Sequence, residues 1–374
     1  MKIRTRIPVK IVYPIIIGGI LSGCGGMTKP DPKFDPSQSA ASQAVQFIDA
    51  RNTKNNKNLD KIAITSCNVL VGEMTSASAE TGVGAFAPSS ESKGRVDAKV
   101  SSFYYLRGIS DEQLQQLAED LCLQAEQGIK ASGRAIVPAS ELASNEHFLK
   151  MHEGGKDSPF EFTPPGSKAK YKVLAPKGQK VFNPAYVGTG KALSMAFSQA
   201  SGNSPLMHEG RLIDSLKADA AHVDIMVDFA RLEGSSDGMQ KHASRDTASV
   251  KGEVRLAVRG QVMFVANESM KCWKAPFSGK QECMTNGKNP EFLLKYPIIA
   301  QKDFVKEIKD ETSTGDKVAG GITQAVGMMA AMGGGRGSSA SITRTGVVVD
   351  PVQYTALTKN AFGHFLEMAM ESSK

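Results

Sequence analysis

An α/β (α+β) fold, with helices packed on a mixed sheet and a long antiparallel hairpin, is what the sequence predicts behind an N-terminal leader and a flexible tether. Three observations lead to it. Apolar runs with strand spacing alternate with helical faces from Lys61 onward. Val223, Ile225, Val227 and Phe229 alternate with His222, Asp224, Met226 and Asp228, and a second alternating run follows a polar turn. Asp350 followed by Pro351 then opens a final helical face. With 374 residues, 41% of them hydrophobic and 22% charged, the chain can bury one large or two ordinary cores.

Residues 1–23 read as a lipoprotein signal peptide. Lys2, Arg4, Arg6 and Lys10 form a basic start, and an apolar stretch from Ile11 to Ile20 is broken by Pro14. Leu21, Ser22, Gly23 and Cys24 then resemble a bacterial lipobox, in which small residues admit the signal peptidase and the next thiol is acylated. The alternative is an ordinary secretory signal with Cys24 a free thiol. Lipidation at Cys24, palmitate among its acyl chains, gives a firmer anchor than the marginal hold of one chain. In that family an Asp after the cysteine favours inner-membrane retention; Gly25 and Gly26 stand here instead, which implies the outer membrane, with the protein facing the periplasm. The formal charge of +7 includes the four leader bases, so the remainder carries only +3, too little for a nucleic-acid footprint. Mean hydropathy is −0.23 and the one long apolar run is the leader, so a polytopic membrane protein is excluded.

Residues 24–60 are rich in Pro, Ser, Asn, Gln and Lys and read as a lipidated flexible tether, with a helical hint from Ala44 to Ala50. The α/β periplasmic domain is expected over 61–310. Ile62, Ile64, Val69 and Val71 mark a buried strand ending at Gly72, and Val96 to Leu106 a second. Ser110 and Gln113 form a capping box before the helical face Leu114, Leu117, Ala118, Leu121, Cys122, Ala125 and Ile129, which Gly133 stops. Ala135 to Val137 reads as a short strand and Glu141 to Met151 as a helix. Residues 152–187 are a Lys-, Pro- and Gly-rich loop insertion whose Phe160, Phe162, Tyr171, Phe182 and Tyr186 pin it to its own domain. Helical patterns return at Gly190 to Ala200 and Gly210 to Ala220.

The strand at His222 to Phe229 is expected to have one core face and one wet face. From Val250 to Phe264, apolar Val250, Val254, Leu256, Val258 and Val262 alternate with Lys251, Glu253, Arg255, Arg259 and Gln261 over roughly 50 Å of strand. A barrel lining would turn Leu256 toward lipid; a bent strand of a soluble sheet turns it to the core, and this second reading is preferred because a barrel needs partners of equal length. Residues 311–346, rich in Gly, Ala and Met, read as a flexible segment. Residues 347–374 hold a C-terminal helix whose Tyr354, Leu357, Ala361, Phe365 and Ala369 dock on the domain.

Chemistry is sparse. No H-E-x-x-H motif is present and no nucleophile elbow is read, so no catalytic, cofactor-binding or metal-ligating residues are assigned, and the chain reads as a non-enzyme. Ala185 to Ala192 resembles a phosphate loop, but Ala192 replaces the hydroxyl that magnesium needs. Met-His-Glu-Gly occurs twice, at His152–Glu153 and His208–Glu209, without a third ligand, and both copies read as exposed loop residues. Beyond Cys24 four cysteines remain in a compartment that permits disulfides. Cys272 and Cys283 flank a Pro/Gly-bearing segment that folds back on itself, and Cys67 with Cys122 follows by elimination.

The strand opening at Ala63, the long helix ending near Gly133, Arg134 to Leu142 as a strand leading into a helix, and the small-Asp-apolar strand entry from Ala220 to Asp228 together resemble the α/β domain of curli-secretion-channel (CsgG-type) lipoproteins. The related penicillin-binding-protein activator lipoproteins share that domain. The resemblance covers 61–310 and implies binding and assembly in secretion or biogenesis of a cell-surface structure, with other envelope proteins, a homo-oligomer and the membrane as partners and no nucleic acid. Its runner-up is a periplasmic regulator of peptidoglycan synthesis; an envelope hydrolase with an unrecognised site is the rival from another class. The insertion at 152–187 and the absence of a second clearly amphipathic hairpin depart from the family pattern and bear on whether a pore is formed.

Overall fold

The computed structural model describes residues 32–55, 59–80, 96–164, 168–182, 205–237, 247–274, 279, 281–285, 289–300, 303–320, 329 and 337–374. Packing begins earlier than the tether reading of 24–60 places it. Helix α1 (Ala40–Phe47), capped by the Ser39 side chain, leads into strand β1 (Ile48–Arg51), and Phe34, Ala44, Phe47 and Ile48 are buried in the main core. Phe34 meets Phe47 edge-on at 5.8 Å. Polar composition concealed these few anchors: a segment whose backbone is completed by other elements needs only a handful of apolar contacts to stay put.

Strand β2 (Lys61–Glu80) opens where the sequence places it but continues past Gly72 for eight more residues, and β3 (Val96–Arg107) returns antiparallel to it. Helix α2 (Asp111–Ala131) has the full reciprocal capping box between Ser110 and Gln113, carries Asp111 and Glu112 in its first turn, and ends before Gly133, whose φ of +93° suits a residue without Cβ. Its Leu114, Leu117, Ala118, Leu121, Ala125 and Ile129 are buried. Strand β4 (Ala135–Ile136) lies parallel to the start of β2. The single helix expected over Glu141 to Met151 is two, α3 (Ala139–Ser144) and α4 (Glu146–Glu153), because Asn145 is extended and uses its side chain to cap α4 through the His147 amide.

The 152–187 insertion is more than a loop. It supplies β5 (Phe160–Phe162) and β6 (Lys170–Leu174), and β6 pairs antiparallel with Val69–Met74 of β2. Tyr171 and Phe182 are buried there, whereas Tyr186 lies outside the described residues. Helix α5 (Pro205–Leu216) overlaps the expected Gly210–Ala220 window but starts before Gly210 and ends before Ala220, since Asp219 already belongs to β7 (Asp219–Asp237). The Gly190–Ala200 pattern and the Ala185–Ala192 loop lie outside the described residues. β8 (Thr247–Val265) pairs with β7 along almost its whole length. A two-stranded ribbon, β9 (Met270–Lys274) and β10 (Gln281–Thr285), follows, then β11 (Glu291–Leu294), β12 (Ile298–Ile299), β13 (Val305–Asp310), a short helix at 314–320, β14 (Gly337–Val349) and α6 (Pro351–Ser372).

Among the described residues the main sheet runs β1-β11-β8-β7-β2-β3-β14-β13, with β4, β5, β6 and β12 attached to its sides. β7 is parallel to β2 and β14 is parallel to β3; the other long pairings are antiparallel. The mixed α/β class read from the sequence is therefore the observed one, but the domain does not stop at 310. Residues 337–346, read as part of a flexible segment, are sheet: their Gly, Ser and Ala composition lacks apolar alternation because this half of β14 lies beyond α1 to α6, with the short helix at 314–320 beside it. The final helix behaves as its N-cap predicts, Asp350 accepting from the Val352 and Gln353 amides with Pro351 at N1, and Tyr354, Ala361, Phe365 and Ala369 are buried.

α1, α2 and α6 cover one face of the sheet, together with Val69, Val71, Val223, Ile225, Val227, Leu256, Val258 and Phe264. α3, α4 and α5 cover part of the other. Cys67 of β2 and Cys122 of α2 stand at bonding distance, 2.00 Å between sulfurs, and so tie a central strand to its helix. β8 settles its two readings locally: Leu256 and Val258 are fully buried beneath this helical layer, in the core and not on an outer surface.

Two outcomes are expected. Replacing Cys67 and Cys122 together by Ala frees a span of 55 residues in the unfolded chain and costs about 2–4 kcal/mol in a urea titration. Leu256→Arg places an unpaired charge in the core and abolishes the cooperative thermal transition of the protein, measured by circular dichroism.

Candidate functional site

Two regions combine chemistry with placement: the sheet face beneath α4 and α5, and the strand ends that run past the helices. The first is built by the polar side of β7, expected to be wet. His222 and Asp224 are instead 2% exposed, because α5 lies across them. Glu209 of α5 is 3% exposed, and its Oε1 accepts hydrogen bonds from Thr65 Oγ1 and His222 Nε2, both at 2.5 Å. Beside it Asn68 Nδ2 donates to Asp224 Oδ1 at 2.9 Å and Ser66 Oγ donates to the Phe182 carbonyl at 2.7 Å. Burial opposes the charged imidazolium of His222, yet the Glu209 carboxylate, with Asp224 behind it, keeps its pKa above the ordinary value. Nearby, burial pushes the Asp219 carboxyl up to about 6, against the Asn267 amide that hydrogen-bonds it.

The Thr65 hydroxyl is tied to the carboxylate and not to the imidazole, so no nucleophile–base pair is formed. Among the described residues no three His, Cys, Asp or Glu side chains converge as a metal site requires. The cluster's work is to hold α5 and the chain around Phe182 against the sheet. Reading His152, His208 and Glu209 as exposed loop residues is thus corrected: all three are buried and helical, and of the two Met-His-Glu-Gly copies Glu153 and Gly154 are exposed. One signal was available, for Glu209 precedes Leu212 and Ile213 by helical spacing, and both of those are fully buried.

The second region lies beyond α1 to α6; the short helix at 314–320 stands beside it, its Asp316 pairing with Arg344 of β14 at 2.9 Å. Residues 74–80 of β2, 99–105 of β3 and 337–345 of β14 extend as one three-stranded arm, and 230–237 with 247–254 as a two-stranded one. The long β8 is therefore not isolated, as β2 has 20 residues and β7 has 19. The arms meet face to face through small residues. A Cβ on Gly234 would stand 2.6 Å from the Ser78 carbonyl oxygen, and one on Gly252 would overlap the Tyr104 hydroxyl. On the other side of β3, Arg344 stacks on Phe103 with 5.0 Å to the ring centre and donates to the Tyr105 hydroxyl at 2.6 Å, while Arg107 stacks on Tyr105 at 4.9 Å and pairs with Glu311. Lys251 and Glu253 are exposed at the outer end of β8 and Arg255 is half-buried, whereas Arg259 lies further in, where its charge acts on Asp228.

Of the residues singled out in the sequence, Cys24 lies outside the described residues. Cys272 and Cys283 face each other across the β9–β10 ribbon at bonding distance, with Cys283 buried against Gly210 of α5. Comparison with known proteins finds no matching family model, no matching curated protein and no matching solved structure. No helix among the described residues is long and apolar enough to cross a membrane.

Glu209→Gln tests the buried pair. With its folded pKa raised, His222 contributes stability in full below its unfolded pKa of about 6.5 and loses it as pH rises through the higher folded value. The variant is expected to lose roughly 3–5 kcal/mol at pH 6, and less at each step toward pH 9, in parallel denaturant titrations.

Proposed function

We propose that the chain is an outer-membrane-anchored lipoprotein facing the periplasm, which acts by binding and assembly in the secretion or biogenesis of a cell-surface structure of the curli type. The observation that carries this reading is the run Leu21-Ser22-Gly23-Cys24 behind a basic and apolar leader, followed by Gly25 and Gly26. Two cysteine pairs at bonding distance fit an oxidising compartment. The likeness of the 61–310 region to curli-secretion-channel and penicillin-binding-protein activator lipoproteins supplies the assembly role. The arms favour that role as well, since long strands beyond α1 to α6 offer backbone and side chains to other chains. The buried Glu209–His222–Thr65 cluster is accounted for by packing, which supports a non-catalytic reading.

Cys24→Ser is expected to leave the protein uncleaved or in the soluble fraction. Persistence of that variant in carbonate-washed outer membrane would refute the anchor. The wild type extracted in detergent is expected to sediment as an oligomer; a monomer would count against assembly and for the regulator of peptidoglycan synthesis.

A further inference from the structure

Four histidines occupy the layer formed by α4 and α5 and the strand beneath it, and their surroundings divide them into two kinds. His222 has the Glu209 carboxylate on its Nε2 and Asp224 nearby, so a proton on it is compensated. Among the described residues the other three have no buried carboxylate at hydrogen-bonding distance, the exposed Glu146 standing 3.9 Å from His147 Nε2. His147 of α4 and His208 of α5 face each other with ring centres 5.7 Å apart, and the Nδ1 atoms of both are buried without a hydrogen-bond partner. His152 gives Nδ1 to the Lys180 carbonyl at 3.1 Å, packs its ring on Phe148 at 4.4 Å, and has a buried, unpartnered Nε2.

We propose that α4, with α3 behind it, is an acid-released flap: on acidification it lifts from α5 and the sheet while α5 stays pinned by Glu209 and His222. Protonating His147 and His208 sets two like charges across the α4–α5 contact, and the charged groups around them make this worse. Arg211 of α5 and Lys150 of α4 add positive charge, and only Glu146, 3.9 Å from His147 Nε2, opposes it. Glu146 is itself engaged by Lys150 at 2.9 Å. Around His152 stand the Lys180 and Thr65 carbonyls and, further off, Glu209, which already serves His222 and Thr65. The protons added to His147 and His208 thus gain no close acceptor at their buried Nδ1 atoms, and that on His152 meets only backbone carbonyls, with two of the three histidines on α4.

The titration directions agree with the geometry. Burial lowers all three pKa values, that of His208 to about 4, with Arg211 adding to the effect on His147 and His208. A histidine whose folded pKa is depressed destabilises its site as pH falls below the unfolded value of about 6.5. His222 has the opposite sign and keeps α5 in place over the same range. α4 is only eight residues long and is held by Phe148 and Met151 in a small core separate from the main one, which includes Ala63, Val137, Leu142, Phe182 and Leu212. Its release uncovers that apolar patch and leaves the α2–α6 side of the sheet intact.

Hydrogen exchange of the full chain, followed by mass spectrometry at pH 7.5 and pH 5 with correction for intrinsic rates, tests this. Amides of α4 are expected to exchange about tenfold faster in acid, with α5 and α6 unchanged. In the His147→Gln, His208→Gln double variant the acid effect on α4 should shrink to the part due to His152. Equal protection of α4 at both pH values overturns the proposal, as does loss of protection in α5 or α6 together with α4, or a double variant with the full acid effect. If that variant is already open at pH 7.5, the wild-type pattern across α4, α5 and α6 decides alone.

Discussion

The parallel pair β2–β7 is covered on both faces, and this one constraint organises the molecule. On one side the demand is met by apolar side chains, where Val69, Val71, Val223, Ile225 and Val227 pack beneath α2 and α6. On the other the strands present Thr65, Ser66, Asn68, His222 and Asp224, none of which tolerates a dry environment without partners. α5 must therefore bring Glu209, and the chain near Phe182 must bring its carbonyl, or that face would have to remain wet. The Cys67–Cys122 pair fixes the apolar side at the same level of the sheet. Both layers are thus registered on a few residues of β2, between Thr65 and Asn68.

Periodicity shows one face of an element at a time, and the sequence reading succeeded or failed accordingly. α2 was legible in full, cap to stop, because its burial pattern, capping box and closing glycine are all local. α6 was legible for the same reason. β7 was half legible: alternation of apolar with polar residues reads as core against water, and only the tertiary arrival of α5 converts His222 and Asp224 into buried groups. The end of the tether and the close of the Gly/Ala/Met-rich segment, 337–346, were misread because β1 and the outer half of β14 owe their order to hydrogen bonds supplied by distant strands. Composition records none of those bonds.

The anchor and the arms lie at different levels of inference. The proposed anchor rests on a local run, Leu21 to Cys24, that resembles a lipobox, whereas the arms are visible only once β2, β3, β7, β8 and β14 are assembled. Their composition is telling. Met74 to Glu80, Ala230 to Asp237 and the start of β14 are rich in Ser, Ala, Gly and Thr and carry no continuous aliphatic band, so the two arms can approach closely through Gly234 and Gly252 but bury little apolar area. Contacts of that kind hold shape weakly compared with the helical body, and they leave the arms as the part of the molecule where pairing with other chains costs least.

β14 lies parallel to β3, yet more than two hundred residues separate them in the chain. Loop closure over such a span is slow, and during synthesis β3 has no neighbour on that side until β14 has emerged. Val347, Val349 and α6 reach the core last, so a nascent or C-terminally shortened chain exposes Leu106 and an unpaired β3 edge to whatever else is nearby. The molecule is therefore most exposed to mispairing between the emergence of β3 and that of β14, and a chaperone that shields β3 over that interval would protect the fold without touching any finished surface.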